Sequence, residues 1–205
     1  MFKSVFMTNN TEKSLVYLDN YGLLGSNYYW NNHERMGISK EEILEVGLEN
    51  DRVCVHEDII DELKSIDEIF QEELGYRLYI REGYRSEELY KLIYRNRSEK
   101  FGEEQTDKLL NTKDMPHATG KSVDVSLLDE KTDELVSLRD KNDGVEAMFV
   151  DFYKDKNSPE AKRYQKLQKF VINTMQDHGF RLGTRQEYFH FDYRPDTERN
   201  YPIND

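Results

Sequence analysis

Residue patterns typical of helices and of strands both recur along this chain, which predicts a fold that combines a sheet with helices. Apolar residues at three- and four-residue steps predict an amphipathic helix from about Glu57 to Leu74, which Gly75 ends. Tyr76–Arg81 and Lys121–Leu127 alternate polar with apolar residues, as half-buried strands do. With 205 residues and no evident linker, the chain is expected to form a single domain over residues 1–205.

The composition is that of an acidic, folded protein. Hydrophobic residues make up 37% of the chain, and 14 Tyr and 10 Phe supply large side chains for a core. The formal net charge of −12 would repel a phosphate backbone, so we expect no nucleic-acid partner. No segment resembles a signal peptide or a membrane span, which predicts a cytoplasmic protein without a membrane partner.

The first third of the chain is predicted to begin with a short strand at Ser14–Leu18. Ser39-Lys-Glu-Glu42 fits a capping box, so a short helix should begin there and end near Gly47. Between these elements, Tyr28-Tyr-Trp30 either packs over the core or lines a pocket. Cys54, the single cysteine, lies between two valines, which indicates a small buried side chain rather than a reactive thiol.

Arg85 lies at a predicted junction between a strand and a helix. The strand that starts at Tyr76 runs into Glu82-Gly-Tyr-Arg-Ser86, and Ser86 can cap a helix from Glu87 to about Arg97. Rigid scaffolds present functional side chains at such junctions. Arg85 is therefore a candidate for a functional role.

The remaining segments are predicted from local patterns. An irregular segment at 98–114, with some helix around Glu103–Leu110, is followed by a strand at Glu134–Arg139 and a surface loop at 145–157. A helix is predicted from Pro159 to Gly179. The chain then continues with a turn at Arg181–Gln186, a strand at Tyr188–Tyr193 and a tail over the last twelve residues. His33, His56 and His178 fall at polar or helix-end positions, where histidines are usually not ligands.

Two motifs supply a candidate metal site. His117-x-x-Gly-x-x-x-Asp124 and His190 together offer two imidazoles and a carboxylate, and three such ligands plus a water form the usual open catalytic zinc site. Gly120 allows a sharp turn after His117, so that a loop histidine and a strand aspartate can reach one ion. The sequence therefore predicts a Zn²⁺ site at His117, Asp124 and His190.

Glu187 is the candidate general base beside that site. Glu187 and His190 would point to opposite faces of a straight strand, because the side-chain period is two. We therefore expect Glu187 in a turn or bulge before the strand, facing the metal-bound water. Arg85 could place positive charge at the oxyanion of a hydrolytic reaction. These two residues are the predicted catalytic pair.

Four elements in this order resemble a known family. Glu82-Gly-Tyr-Arg85, the His117 motif, a helix that ends in Gly-Phe180, and Glu187-x-x-His190-Phe-Asp-Tyr193 resemble the zinc D-alanyl-D-alanine dipeptidases of the vancomycin-resistance type. These dipeptidases belong to a wider group with D,D-carboxypeptidases and phage endolysins. The resemblance covers about residues 75–195.

The resemblance implies the architecture and the roles. It implies an α+β fold with a small, mostly antiparallel sheet that carries the zinc site and has helices packed on it. His117, Asp124 and His190 correspond to the zinc ligands, Glu187 to the base and Arg85 to the arginine that assists the carbonyl. Glu82 either orients Arg85 or meets a substrate amine.

Several positions depart from the family pattern. Met115 stands where a serine is usual, and a thioether cannot donate the hydrogen bond of a hydroxyl. Tyr188-Phe189 replaces the commoner tryptophans, and Ser86 replaces a proline, whereas Ser122 keeps the expected small residue. These changes leave the proposed ligands and base intact and leave the substrate open.

The function expected first is a zinc metallopeptidase that cleaves a small dipeptide, D-Ala-D-Ala or a relative. The alternative with the same chemistry is a D,D-carboxypeptidase or an L-alanyl-D-glutamate peptidase of endolysin type that acts on peptidoglycan. A third possibility is a zinc-binding module without catalysis, for which neither Glu187 nor Arg85 would be needed. The sequence leaves the oligomeric state open.

Overall fold

The computed structural model describes residues 14–108, 110 and 112–202 of the chain. The strands are β1 (Leu15–Tyr17), β2 (Leu24–Gly25), β3 (Cys54–His56), β4 (Arg77–Glu82), β5 (Ser122–Asp129), β6 (Glu134–Leu135), β7 (Phe180–Leu182) and β8 (His190–Tyr193). The helices are α1 (Tyr28–Asn32), α2 (Lys40–Glu45), α3 (Ile60–Leu74), α4 (Glu87–Phe101), α5 (Glu103–Asp107) and α6 (Pro159–Asp177). The fold is therefore α+β, as expected.

Polar side chains cap the helices where the sequence indicates. Ser39 forms the predicted capping box with Glu42 at the start of α2. Ser86 accepts a hydrogen bond from the backbone of Leu89 at the start of α4, and Ser158 caps α6 in the same way. Gly75 ends α3 with a φ of 70°, a left-handed conformation that glycine adopts without strain. Each cap satisfies backbone groups that the helix leaves unpaired.

The main sheet is mostly antiparallel. Its strand order is β2-β4-β5-β8-β7, and β6 pairs with the far end of β5. Only the β2–β4 pair is parallel among the described strands. β1 and β3 form a separate two-stranded antiparallel sheet. The prediction of a small, mostly antiparallel sheet is confirmed.

One face of the main sheet forms the core with α3 and α6. Val123, Phe191 and Leu182 stand opposite one another across β5, β8 and β7, and all three are buried. Phe70 of α3 packs in the same core and contacts the ring of Phe170 of α6, with the two centroids 5.9 Å apart. Since side chains alternate along a strand, the residues between them face the opposite side of the sheet.

The structure corrects the first part of the predicted turn at Arg181–Gln186, whereas the backbone of Gln186 donates to the carbonyl of Gly183 in a turn, as expected. Phe180–Leu182 is a strand that pairs with β8. The guanidinium of Arg181 is buried and donates hydrogen bonds to the carbonyls of Thr197 and Glu198. A buried arginine in a three-residue strand depends on those distant carbonyls, which a local pattern does not contain.

Other predicted boundaries also change. α4 continues to Phe101 instead of ending near Arg97, and the strand predicted at Glu134–Arg139 is paired only over Glu134–Leu135. The predicted surface loop at 145–157 contains the buried side chains of Ala147 and Tyr153. The hydroxyl of Tyr153 donates to Asp143 and accepts from the backbone of Asp140, so this loop is anchored.

No helix among the described residues has the length and apolar character needed to cross a bilayer.

Candidate metal centre and active site

A cleft of about 750 Å³ lies over the polar face of the main sheet. Side chains from three adjacent strands form its floor, including Glu82 of β4, Asp124 of β5 and His190 of β8. Glu82 is directly opposite Asp124, and Asp124 is directly opposite His190. Directly paired residues point to the same side of a sheet, so the register places these three groups in one row.

A single 3₁₀ turn over Pro116–Thr119 brings His117 to the end of this row. Gly120 follows with a φ of 70°, the sharp turn that the sequence predicts. The backbone N–H of His117 donates to the hydroxyl of Tyr90 at 3.0 Å, and Nδ1 of its ring lies 2.8 Å from the carbonyl oxygen of Gly83. His117 is 2% exposed, so its position is held from several sides.

His117, Asp124 and His190 meet with their donor atoms within 4.8 Å of one another. Oδ1 of Asp124 lies 2.8 Å from Nδ1 of His190 and 3.4 Å from Nε2 of His117. The two ring nitrogens are 3.2 Å apart. A carboxylate oxygen and two imidazole nitrogens so close together need a proton or a metal cation between them, because their lone pairs otherwise repel one another.

The pKa shifts of Asp124 and His190 reflect this need for a proton or a cation between them. Burial opposes a charge on Asp124, but His117 and His190 hold the pKa of its carboxyl well below the usual range. Burial would also lower the pKa of His190, but the carboxylates of Asp124 and Asp192 raise it to about 10. The cluster thus favours both a negative carboxylate and a neighbouring cation.

The outer contacts of both histidines fit metal coordination. The Nδ1–H of His117 can donate to Gly83, which leaves the lone pair of Nε2 facing Asp124. Nε2 of His190 lies 3.4 Å from Oδ1 of Asp192, which leaves Nδ1 facing the same point. Metal-bound histidines usually have such a carbonyl or carboxylate partner on the other nitrogen. The donor set therefore fits a His₂Asp metal site.

Asp192 is a functional candidate that the sequence prediction missed. It accepts a hydrogen bond from Ser122 at 2.7 Å and pairs with Arg194 at 2.9 Å, so its carboxylate is fixed beside His190. His190 and Asp192 are two residues apart on β8 and therefore share a face. That spacing was visible in the sequence and could have identified Asp192 as the partner of the histidine.

Glu187 lies in the segment before β8, as the prediction requires. It bridges to Phe149, and the backbone N–H of His190 donates to its carbonyl oxygen at 3.3 Å. Gln186, which has a φ of 58°, turns the chain just before it. Glu187 and His190 consequently line the same cleft. Burial, and then the charge of Asp124, raise the pKa of the Glu187 carboxyl, which suits a proton acceptor better than an exposed carboxylate.

Glu82 and Arg85 form a buried bidentate ion pair at the junction of β4 and α4. Nε of Arg85 donates to Oε1 of Glu82 at 2.7 Å, and Nη2 donates to Oε2. The two residues are 2% and 5% exposed. Burial opposes the charge of Arg85, but Glu82 raises the pKa of the guanidinium above its ordinary value. Of the two roles predicted for Glu82, this geometry supports the orientation of Arg85.

Aromatic rings enclose the guanidinium of Arg85. Its central carbon lies 4.6 Å from the ring centroid of Tyr29 and 4.3 Å from that of Tyr90. Tyr28, Tyr29 and Trp30 all pack against a second apolar cluster, and Tyr28 and Tyr29 also line the cleft. The two alternatives predicted for Tyr28-Tyr-Trp30 therefore both occur, and Tyr28 and Tyr29 combine them.

Met115 faces away from the chemistry. It packs against the second apolar cluster, which contains Leu89 and Tyr90, and it adopts a left-handed conformation with a φ of 41°. The side chain of Met115, which stands where the family serine is expected, therefore does not line the cleft. Ser86, which stands where the family has a proline, caps α4.

The other three histidines have partners outside the candidate metal site. Nδ1 of His33 contacts the carbonyl of Ile38, His56 caps the turn that precedes α3, and His178 pairs with Glu62. Among the described residues, His117, Asp124 and His190 form the group that could hold a metal ion. Cys54 is half-buried on β3, and burial raises the pKa of its thiol to about 11, in agreement with a structural role.

The α+β fold and this site define a protein of the metallopeptidase class. A family model described as D-ala-D-ala dipeptidase, peptidase family M15, matches residues 37–204. The chain therefore belongs to this peptidase family.

Among solved structures, the chain is similar to one described as "Structure of the LdcB LD-carboxypeptidase reveals the molecular basis of peptidoglycan recognition". The two share 21% sequence identity with a TM-score of 0.47, and the match covers 70% of this chain and 61% of that chain. This chain thus matches less than two thirds of the length of that protein. A comparison with curated proteins gave no match.

Proposed function

We propose that this protein is a zinc-dependent dipeptidase that hydrolyses D-Ala-D-Ala or a related small dipeptide, as the vancomycin-resistance dipeptidases do. The observation that supports it most is the convergence of His117, Asp124 and His190 in one cleft with Glu187 and Arg85. A structural metal site would need the first three residues alone. A half-buried carboxylate and a fixed guanidinium beside them fit hydrolysis.

Each residue has a distinct task in this proposal. Bound zinc lowers the pKa of a water molecule and polarises a carbonyl. Glu187 accepts a proton from the attacking water and delivers it to the leaving amine. Arg85 faces the oxyanion that develops on the substrate carbonyl, and its position is fixed by Glu82. Because Glu82 binds Nε and Nη2, the Nη1 donors are outside this pair.

Metal analysis of the purified protein, combined with a panel of D- and L-dipeptides, tests the proposal. We expect one zinc per chain and release of D-alanine from D-Ala-D-Ala. His117→Ala should lose both, because Nε2 of His117 is one of the three donors. A protein that binds no zinc, or that binds zinc and cleaves no peptide, would contradict the proposed function.

The size of the cleft favours a second candidate, a D,D-carboxypeptidase or L-alanyl-D-glutamate peptidase that acts on peptidoglycan fragments. A volume of about 750 Å³ falls in the range of pockets that hold drug-sized ligands and exceeds what a dipeptide fills. Parallel assays with D-Ala-D-Ala and with muropeptides separate the two. Cleavage of muropeptides alone would replace the first proposal with the second.

A zinc-binding module without catalysis is the third candidate. It predicts that Glu187→Gln changes no measurable property of the zinc-loaded protein, since Glu187 is not one of the three converging donors. The dipeptidase proposal predicts the loss of turnover in the same variant. A single pair of assays therefore discriminates between them.

A further inference from the structure

We propose that Arg81 and Arg139 form an anion subsite in the cleft that selects acidic peptides, through a carboxylate other than the one at the peptide's C-terminus. This inference rests on the proposed peptidase function and specifies its substrate class. Both arginines line the cleft that contains the metal ligands. Neither has been given a role in the hydrolytic chemistry above.

The position of Arg81 results from an irregularity in the sheet. The register between β4 and β5 shifts between Ile80 and Glu82, so Arg81 is the extra residue of a β-bulge. Ile80 stays in the core and Glu82 still faces Asp124. A bulge re-aims side chains at functional sites, and here it allows two consecutive residues, Arg81 and Glu82, to line the same cleft.

Arg139 reaches the same region from the segment after β6. Its charge acts on the side chain of Tyr188, and Nη1 of its guanidinium donates to the carbonyl of Gly144 at 3.1 Å. Arg81 also acts electrostatically on Tyr188, and its guanidinium lies 4.9 Å from the ring centroid of Tyr28. Tyr188 is 7% exposed, so both cations approach a phenol at the wall of the cleft rather than in open solvent.

The charges of the two arginines are not matched by the protein. Among the ion pairs of the described residues, neither Arg81 nor Arg139 has a carboxylate partner, although the chain has 41 acidic residues. By contrast, Arg77, four residues earlier on the same strand, binds Asp67 and Glu130. In a protein with a net charge of −12, unmatched guanidiniums inside a cleft indicate an anionic ligand.

A peptide carboxylate fits this chemistry. Guanidinium groups bind carboxylates through two parallel hydrogen bonds, and the interaction is stronger in a half-buried cleft than in bulk water. Arg85, whose charge is already paired with Glu82, serves the reacting carbonyl. Arg81 and Arg139 are therefore available to an acidic side chain of the peptide, such as that of a glutamate on either side of the cleaved bond.

Two matched pairs of D-dipeptides test the subsite, Glu-Ala with Gln-Ala and Ala-Glu with Ala-Gln. All four have a free C-terminus, so the pairs differ only in the side-chain carboxylate. We expect zinc-loaded protein to cleave one acidic peptide with a kcat/KM about tenfold or more above that of its amide partner. The double variant Arg81→Gln with Arg139→Gln should reduce that ratio to near one. Arg163→Gln, which removes the same charge from an exposed position on α6, is the matched control and should keep the ratio.

Equilibrium binding separates failure of the subsite from failure of the proposed function. Calorimetry of the four peptides on the Glu187→Gln variant reports binding without turnover. Preferential binding of an acidic peptide with no cleavage by the unmodified protein would retain the subsite and refute the peptidase. Equal binding and equal kcat/KM within each pair, or a preference that survives the double variant, would overturn the subsite while leaving the peptidase proposal in place.

Discussion

Oδ1 of Asp192 lies 3.4 Å from Nε2 of His190, on the opposite side of the imidazole ring from Asp124. The ring is thus held between two carboxylates, one inside the predicted metal site and one outside it. Asp192 is itself fixed by Ser122 and Arg194. The orientation of the last metal ligand therefore depends on a residue that would not touch the metal.

Asp192→Asn is expected to weaken zinc affinity by about 10- to 100-fold, because the amide no longer supports the basicity of His190. Competition with a chromophoric chelator measures this change. Asp177→Asn, which removes an exposed carboxylate paired with Arg199, is the matched control. If the two variants bind zinc equally well, the supporting role of Asp192 is wrong.

Glu187→Ala is expected to keep one bound zinc and to reduce kcat by about 10²- to 10⁴-fold, since general base catalysis contributes that much. Metal content by mass spectrometry and turnover of the best peptide are the two measurements. Glu160→Gln, an exposed change in the first turn of α6, should alter neither. Retained turnover in Glu187→Ala would refute the assigned role.

Arg85→Ala is expected to reduce kcat by about 10²- to 10³-fold, as the loss of an oxyanion donor does, with zinc content unchanged. It should also lower the free energy of unfolding by about 3–5 kcal/mol, because Glu82 is left buried without a partner. Denaturant titration measures the second effect. The double variant Glu82→Leu with Arg85→Met removes both charges and should recover much of the stability but no turnover. An unaltered rate in Arg85→Ala would exclude the oxyanion role.

Gly183→Ala is expected to weaken zinc binding, because a Cβ at this position would overlap Cδ2 of His190. Gly25→Ala is the control, since its Cβ would instead overlap the backbone of Ile80, away from the metal ligands. Both variants should lower thermal stability, and only Gly183→Ala should change the zinc dissociation constant. An unchanged constant would show that the ring of His190 can move without cost.

Cys54 is expected to react slowly with iodoacetamide in the folded protein. Burial raises its pKa to about 11, so about one thiol in a thousand is ionised at pH 8, against about a quarter for a free cysteine. The thiolate fraction rises with pH, so alkylation should accelerate up to about pH 11. Mass spectrometry with and without denaturant measures the ratio of rates. Rapid labelling of the folded protein would contradict a structural role.

The elements with local signals were predictable from the sequence. Ser39 and Ser158 cap helices through contacts within four residues, and the metal motif around His117 depends on a glycine three residues away. β7 was not predictable, because its buried Arg181 is satisfied by carbonyls near residue 197. A local pattern does not report contacts that the chain makes over such distances.

The residues of the site likewise divide into those that the sequence predicted and those that it did not. The sequence identified His117, Asp124, His190, Glu187 and Arg85, and the structure brings all five to one cleft. It gave no indication of Arg81 in the cleft, because the bulge that admits Arg81 arises from the pairing of two strands rather than from either one.

β8 follows all the other described strands in chain order, yet it lies between β5 and β7. During synthesis on the ribosome, one edge of β5 therefore stays open until β8 emerges, and open edges are prone to pair with other chains. The same segment delivers His190. The sheet and the set of metal ligands are therefore completed at the same stage of synthesis.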